Sequence, residues 1–504
     1  MDFRPPTFPE QFNLAEYYLS ARIAEGRGER TAIIAGQRRL SYLDVEYMAN
    51  GAAFMLRHWG VEYEDRVLLA LPDSPEFAAA FFGVLKCGAV VTMVNTELPS
   101  DDYAYYLEYT RARVLVTTDA LAQRIRAHTD SALKRHLHHV WTVDGGIEPA
   151  EAFESAQTHR DDPAIWLFTS GSTGKPKAAV HFHHDFAYNT ECYGKRVLEL
   201  REDDVTLSVP KLYFGYATGT NLMFPFAVGA ATVLFPDKAT PERIFELIER
   251  HRPTVLTSVP TMINKMVSAP DAKQRNLSSL RVCISAGEAL APELYQRWKD
   301  SFGVEILDGI GSAELFHIYI SNRFGDVRPG SLGQLVPGYE ARIVADDGSE
   351  VPTGEIGTLW VKGDSAALCY WESHERSKEV LRGDWVSTGD KFRRDEAGYF
   401  YYAGRADDLL KVDGIWVSPI EVENVLLQHA AVLECCVVGY EDESKLTKAK
   451  AYVVRKPGAE VSAEALREFV RERLAHYKVP RRIEFVAALP RSDRGKVLRR
   501  ELKS

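Results

Sequence analysis

The feature that most constrains this chain is a rhythm. Over roughly the first 400 residues, short apolar runs alternate with amphipathic segments, the signature of strand–helix–strand units that build largely parallel sheets. Residues 67–70 read as a buried strand. Ser74 then caps a helix with Pro75 at its first position and Glu76 in its first turn, and Gly88 ends it. Residues 89–94 return as the next strand, and similar runs follow at 114–117, 165–169, 205–209, 232–235, 255–259 and 281–285. There is no internal repeat of fixed period. A chain of 504 residues exceeds one ordinary core, so two or more domains are expected.

Near residue 400 the character changes. Residues 355–363 and 399–403 read as strands joined by Gly- and Asp-rich turns. After Gly404-Arg405 the remainder reads as a compact α+β unit: a helix from Pro419, strands at 435–439 and 451–454, and a helix capped by Ser462. Leu466, Phe469, Val470 and Leu474 form an apolar stripe on that last helix. The expected boundary falls between Ala406 and Asp407, giving domains 1–406 and 407–504. The expected fold class is therefore α/β, with a large N-terminal domain of βαβ-type sheets plus a β-subdomain, followed by a small α+β C-terminal domain.

A net charge of −10 argues against nucleic acid or an anionic membrane as the main partner. The first 13 residues are Pro-rich and polar, without the apolar stretch of a secretory signal. No run approaches the roughly 20 apolar residues that span a bilayer. The cysteines (Cys87, Cys192, Cys283, Cys369, Cys435, Cys436) show neither metal-ligand spacing nor disulfide-scaffold density. Cys435 and Cys436 are adjacent, so a strand would point them to opposite faces as core filler. A reduced, cytoplasmic setting is expected.

The sharpest chemical signal is the run Thr169, Ser170, Gly171, Ser172, Thr173, Gly174, Lys175, Pro176, Lys177, directly after a predicted strand. Small hydroxyl residues and glycines let backbone N–H groups approach an anion closely, the hydroxyls add donors, and the two lysines add charge. This is a phosphate-cradling loop, but not a Walker A loop, because Thr169 and Pro176 stand where that pattern needs Gly and Ser or Thr.

With this loop, a series of further motifs resembles the adenylate-forming enzymes, which include acyl-CoA ligases, carrier-protein adenylation domains and luciferases. The motifs run in order over nearly the whole chain: Ser285-Ala286-Gly287-Glu288, Asp308-Gly309-Ile310-Gly311-Ser312-Ala313-Glu314, Ser387-Thr388-Gly389-Asp390, Gly404-Arg405-Ala406-Asp407-Asp408, Gly414, and Leu489-Pro490-Arg491 with Gly495-Lys496. The resemblance implies that Asp390 accepts hydrogen bonds from the ribose hydroxyls of ATP, with Arg405 beside it. It lays Gly287, Glu288, Asp308, Gly309 and Ile310 along the nucleotide. It makes Glu314 the carboxylate that holds Mg²⁺ against the triphosphate, a hard ligand for a hard cation. Lys496 would stabilise the charge that develops as a carboxylate attacks the α-phosphate. Two positions depart from the common pattern: Ile310 replaces the adenine-stacking aromatic, as in benzoate-type ligases, and Ala313 replaces a Thr whose hydroxyl contacts the α-phosphate.

The stretches around residues 211–219, 308–322 and 411–423 are most similar to benzoate and substituted-benzoate–CoA ligases. Tyr213, Phe214 and Tyr216 supply three aromatic rings in four positions, suited to stacking on a planar acid. Phe214 aligns with the gate between carboxylate and pantetheine channels, and Gly215, Ala286 and Gly311 complete the implied acid pocket. His317 either meets a ring substituent or is a satisfied core histidine. The resemblance also implies that the C-terminal domain is mobile and rotates about Asp407, bringing Gly414 and Trp416 to the CoA channel. Gly414 reads equally as an ordinary Asp-Gly turn.

The expected reaction is adenylation of an aromatic carboxylate by ATP with Mg²⁺, then transfer to CoA. The alternative is a stand-alone protein that loads an aryl acid onto a carrier protein. A homodimer is a family expectation only.

Overall fold

The computed structural model describes residues 3–126, 135–170, 175–405, 410–412, 415–442, 447–491 and 497–502. Two large sheets organise the first 370 residues or so. The nine-stranded sheet runs Gln334–Leu335, Ile318–Ser321, Ile306–Gly311, Val282–Ser285, Val255–Ser258, Val205–Ser208, Ala231–Leu234, Thr31–Ala35, Arg38–Ser41. Its six central strands are parallel. The seven-stranded sheet runs Cys369–Tyr370, Pro176–Phe182, Pro163–Ser170, Val90–Met93, Arg66–Ala70, Val114–Thr117, His139–Thr142. Strands such as Val114–Thr117 and Val282–Ser285 are buried at every position, as expected where helices cover both faces of a parallel sheet.

Helices Tyr42–His58 and Pro75–Lys86 pack face to face, the first touching the nine-stranded sheet and the second the seven-stranded one. Ser74 accepts a hydrogen bond from the Phe77 N–H, so the expected cap is present. The helices approach closely at Gly83, where a Cβ would lie 2.6 Å from the Ala52 Cβ. Lys86, 1% exposed, keeps its charge inside this layer by donating to Glu46 at 2.8 Å and Ser20 at 3.2 Å. The strand expected from residue 89 begins at Val90, because the Ala89 N–H is spent on the Val84 carbonyl that closes the helix.

A five-stranded antiparallel sheet follows: Glu340–Val344, Gly357–Lys362, Trp385–Arg394, Leu381–Arg382 and Phe400–Arg405. Gly357–Lys362 alternates buried and half-buried residues, the period of a sheet with one covered face. This is the expected β-subdomain.

The last hundred residues carry a hairpin, Leu410–Val412 with Ile415–Val417, and a sheet of Val432–Glu441, Thr447–Arg455 and Arg482–Phe485. Helices Pro419–Leu427 and Ala463–Arg471 are capped by Ser418 and Ser462. Leu466 and Val470 are fully buried, with Phe469 and Leu474 packed beside them. Cys435 and Cys436 join separate apolar clusters on opposite faces of their strand. Arg499 donates two hydrogen bonds to Glu423, at 2.6 and 2.8 Å, and Glu423 also accepts the Val437 N–H. Among the described residues no helix is long and apolar enough to cross a membrane.

Candidate active site

Strand Pro163–Ser170 turns back into Pro176–Phe182, with Thr169 opposite Lys177 and Ser170 opposite Pro176. Thr169 and Ser170, read from sequence as the opening of the phosphate loop, are thus also the last rungs of a β-ladder. Gly171, Ser172, Thr173 and Gly174 lie outside the described residues. On the far side, the Lys175 ammonium stands 5.0 Å from the centre of the Tyr105 ring, and the Tyr105 hydroxyl donates to the Pro176 carbonyl at 2.6 Å.

Strand Ile306–Gly311 runs parallel to Val282–Ser285, with Asp308 opposite Ser285. Burial pushes the Asp308 carboxyl up to about 8. On its other side the strand pairs with Ile318–Ser321, with an irregularity between Ile310 and Gly311. A Cβ on Gly309 would lie 2.7 Å from the Ile320 carbonyl oxygen, and one on Gly311 would lie 2.4 Å from that of His317. Neither position has room for a side chain. Gly287, by contrast, borders open space but has φ +89°, which suits glycine. Ala286 is buried beside it, and Glu288 accepts hydrogen bonds from the Thr261 N–H at 3.1 Å and hydroxyl at 2.8 Å.

The segment Ala313–His317 is the most constrained part of the site. A single helical turn, Ala313–Leu315, presents Glu314. Its Oε1 accepts the Tyr370 hydroxyl at 2.5 Å, while Oε2 accepts no hydrogen bond from the described residues. Phe316 then takes φ +66°, ψ −59°, and the His317 N–H reaches the Leu315 carbonyl at 2.8 Å. This is a γ-turn of the rare positive-φ form, strained for a residue with a side chain by about 1–3 kcal/mol. The surroundings hold it. Ala313 O is 2.6 Å from His181 Nε2, Glu314 O accepts from Ala367 N at 2.8 Å, and Leu315 O also accepts the Ser365 hydroxyl at 3.0 Å. The Phe316 ring packs on Phe186 at 4.3 Å.

His317 is 2% exposed, and its Nε2 lies 2.9 Å from the Tyr216 carbonyl, to which it donates. Burial pushes the imidazole down to about 4, so it is neutral at pH 7. Its ring sits among Tyr193, Tyr216, Phe224 and Phe316. It is thus a hydrogen-bonded core histidine whose Nδ1 has no hydrogen-bond partner among the described residues.

Tyr213 and Phe214 stack edge to face at 4.7 Å in front of the helical turn Gly215–Thr218. Asp73 fixes that segment by accepting the Leu212 N–H at 2.8 Å, and Thr218 donates to the Leu212 carbonyl at 2.6 Å. A Cβ on Gly215 would meet the Leu167 side chain at 3.2 Å.

Asp390 and Arg405 are direct partners on one rung of the antiparallel sheet, with Arg405 Nε 3.6 Å from Asp390 Oδ1. The wholly buried Tyr319 hydroxyl is raised far above its ordinary range, first by burial and then by the charges of Asp390 and Glu314. Those two carboxylates therefore face one region. From the C-terminal unit, Arg491 donates to the Thr261 hydroxyl at 3.1 Å and to Glu434 at 3.0 Å, with Glu288 4.0 Å away. Lys496, Asp407 and Gly414 lie outside the described residues, as does the Trp416 side chain; the Trp416 backbone pairs with Lys411. Sequence reasoning missed Tyr370, His181 and the turn at Phe316. The only visible hint was the polar run His181-Phe182-His183-His184-Asp185.

The family model described as AMP-binding enzyme matches residues 20–371, and that of the AMP-binding enzyme C-terminal domain matches residues 421–496. A benzoate–CoA ligase of Thauera aromatica is 41% identical across 99% of this chain and 98% of its own length. The crystal structure of the anthranilate CoA ligase AuaEII in complex with anthranoyl-AMP superposes with a TM-score of 0.93 at 40% identity, covering 98% of this chain and 97% of that one. A benzoate CoA ligase from Burkholderia xenovorans LB400 gives 0.89 at 39% identity, covering 98% of this chain and all of that one. Taken with the ordered motifs and the glycine-lined strand that carries Glu314, these matches make the chain a member of the AMP-binding enzyme family.

Proposed function

We propose that this protein is an ATP-dependent, AMP-forming aryl-CoA ligase that activates a benzoate-type acid, unsubstituted or bearing an amino or hydroxy group. The observation that carries this reading is the end-to-end likeness to ligases named for benzoate and anthranilate. The aromatic pair Tyr213 and Phe214, with Tyr216 packed beside His317, supports it, since flat walls favour a flat substrate.

In the first half-reaction the acid's carboxylate oxygen attacks the α-phosphorus of ATP and pyrophosphate leaves, giving an aryl-AMP mixed anhydride. Thr169 through Lys175 hold the phosphates, Asp390 and Arg405 hold the ribose, and Gly287, Glu288 and residues 308–310 lie along the nucleotide. Lys496 neutralises charge as it develops, which is what nucleotidyl transfer needs more than covalent help. Glu314 fits Mg²⁺: it offers an oxygen that accepts no hydrogen bond among the described residues, and this cation is commonly held by one or two carboxylates with substrate phosphates. When bound, Mg²⁺ supplies positive charge along the triphosphate. In the second half-reaction, rotation about Asp407 withdraws Lys496 and brings Gly414 and Trp416 to the pantetheine channel. The CoA thiolate then attacks the acyl carbon and AMP leaves. Tyr213, Phe214, Gly215, Ala286, Gly311 and His317 shape the acid pocket. Among the described residues the six cysteines form no disulfide, which suits a reducing compartment.

The test is mass-spectrometric product analysis with ATP, Mg²⁺ and CoA over benzoate, its hydroxy and amino derivatives, phenylacetate, acetate and octanoate. Aryl-CoA with AMP is the expected outcome. Aryl-AMP that accumulates without thioester would move the assignment to a carrier-protein acceptor, and turnover of acetate or octanoate alone would overturn the aryl reading.

A further inference from the structure

The turn that presents Glu314 is gripped from two sides by side chains far away in sequence. On one side the Tyr370 hydroxyl, on a residue 6% exposed, donates to Glu314 Oε1 at 2.5 Å. On the other, His181 Nε2 meets the carbonyl of Ala313 at 2.6 Å, and His181 Nδ1 meets Asp185 Oδ2 at 2.7 Å. His181 and Asp185 are both fully buried.

The chemistry of this chain of contacts is determined by the acceptor at its end. A carbonyl oxygen can only accept, so Nε2 carries a proton and donates it to Ala313. The 2.7 Å contact between Nδ1 and the Asp185 carboxyl then holds a second proton, which fixes the ring's orientation. The Phe182 N–H also donates to Asp185 Oδ2 at 3.1 Å, locking the carboxyl to the start of its own helix. Among the described residues, one other titratable side chain acts on this pair at close range. His184 Nε2 lies 3.3 Å from Asp185 Oδ1, and His183 is committed elsewhere, accepting the Leu14 N–H at 3.1 Å. Pinned at Ala313 and at the Glu314 carboxylate, the segment can carry the strained backbone of Phe316 next door.

We propose that His181, oriented by Asp185, and Tyr370 are positioning residues that together aim Glu314 for Mg²⁺·ATP. His181 acts on the backbone of the turn and Tyr370 on the carboxylate rotamer, and neither touches substrate. The inference rests on the assignment of Glu314 to the metal made above. Groups that orient a metal-binding carboxylate in this way are worth about 10–100-fold in metal affinity.

The test measures Mg²⁺-dependent ATP binding to the full-length protein by calorimetry, beside both half-reactions. Tyr370→Phe removes one hydroxyl and should raise the Mg²⁺ concentration needed for half-maximal ATP binding by about tenfold or more. His181→Asn, whose amide can replace only Nδ1, should do the same, whereas His181→Gln, whose amide nitrogen reaches the place of Nε2, should restore most of the affinity. Thioester formation from supplied aryl-AMP, which needs no triphosphate, should change less than twofold in either defective variant. Glu314→Gln serves as the reference. If it loses Mg²⁺ dependence while Tyr370→Phe and His181→Asn bind Mg²⁺·ATP normally, the positioning inference is overturned alone. If Glu314→Gln itself leaves the Mg²⁺ dependence intact, the metal assignment falls and the inference falls with it.

Discussion

Gly311→Ala is the substitution whose effect can be worked most directly from the structure. The added Cβ would lie 2.4 Å from the His317 carbonyl oxygen, 2.5 Å from its carbon and 2.8 Å from the Ile318 nitrogen, where ordinary contacts begin at 3.4 Å. All three atoms are backbone, so no side chain can swing away. The strand must retreat by about 1 Å from its antiparallel partner at the rung Gly311–Ile318. Overpacking of this kind costs about 1–3 kcal/mol. The functional cost should be larger, because the displaced backbone leads into Glu314 three residues later and carries His317 directly. A misplacement near 1 Å at a reacting centre costs on the order of 100-fold in rate. Pyrophosphate release with benzoate, followed alongside the unfolding midpoint, measures both. Gly303→Ala is the control: at φ +70° its Cβ meets nothing within 4 Å, so it should lose about 1 kcal/mol of stability and no activity. Gly311→Ala turning over at the unmodified rate would refute the close-packing argument.

Lys496→Ala should slow aryl-AMP formation by about 10²–10³-fold and leave thioester formation from supplied aryl-AMP largely intact; equal loss of both steps would contradict the domain-rotation account. Arg499→Met strands Glu423, itself little exposed, and should destabilise the C-terminal unit by about 2–3 kcal/mol, read as faster hydrogen exchange in strand Val432–Glu441; unchanged exchange would show the pair contributes nothing. His317 should make the native state weaken in acid. Its folded value is about 4 against an ordinary 6.5, so below pH 6.5 the unfolded chain takes up a proton that the folded one refuses, and stability falls as pH drops from 6.5 to 4. His317→Gln keeps a donor for the Tyr216 carbonyl and should flatten that limb of the denaturation–pH profile. His183, held down to about 3 by burial, leaves a residual slope of the same sign.

Much of the architecture was legible because its signals are local. Ser74-Pro75 and Ser462 each write a helix start in one or two residues and cap as expected, and the helix expected from Pro419 starts there, with Ser418 as its cap. Apolar runs such as 114–117 announce strands covered on both faces. The motifs proposed to hold the nucleotide stood out in the sequence for a related reason, since backbone proximity to phosphate demands glycine and small hydroxyls in unbroken sequence. The machinery around Glu314 was not. The contact between His181 and Ala313 spans 132 residues and that between Tyr370 and Glu314 spans 56, so no window contains either. The positive-φ turn falls on a phenylalanine, and nothing in composition marks such a position. His317 illustrates the middle case: its identity stood out, but only packing revealed that Nε2 was already committed to Tyr216.

The rung that joins Asp390 to Arg405 has a consequence for how such a protein diversifies. The spacing of these proposed ribose contacts is set by main-chain pairing in the antiparallel sheet, which changes of side-chain size hardly disturb. The proposed acid pocket is cut instead largely from the segment around Tyr213–Tyr216, which follows strand Val205–Ser208 of the nine-stranded sheet. Heritable variation in that segment can therefore recut the choice of acid while the nucleotide chemistry passes down unaltered.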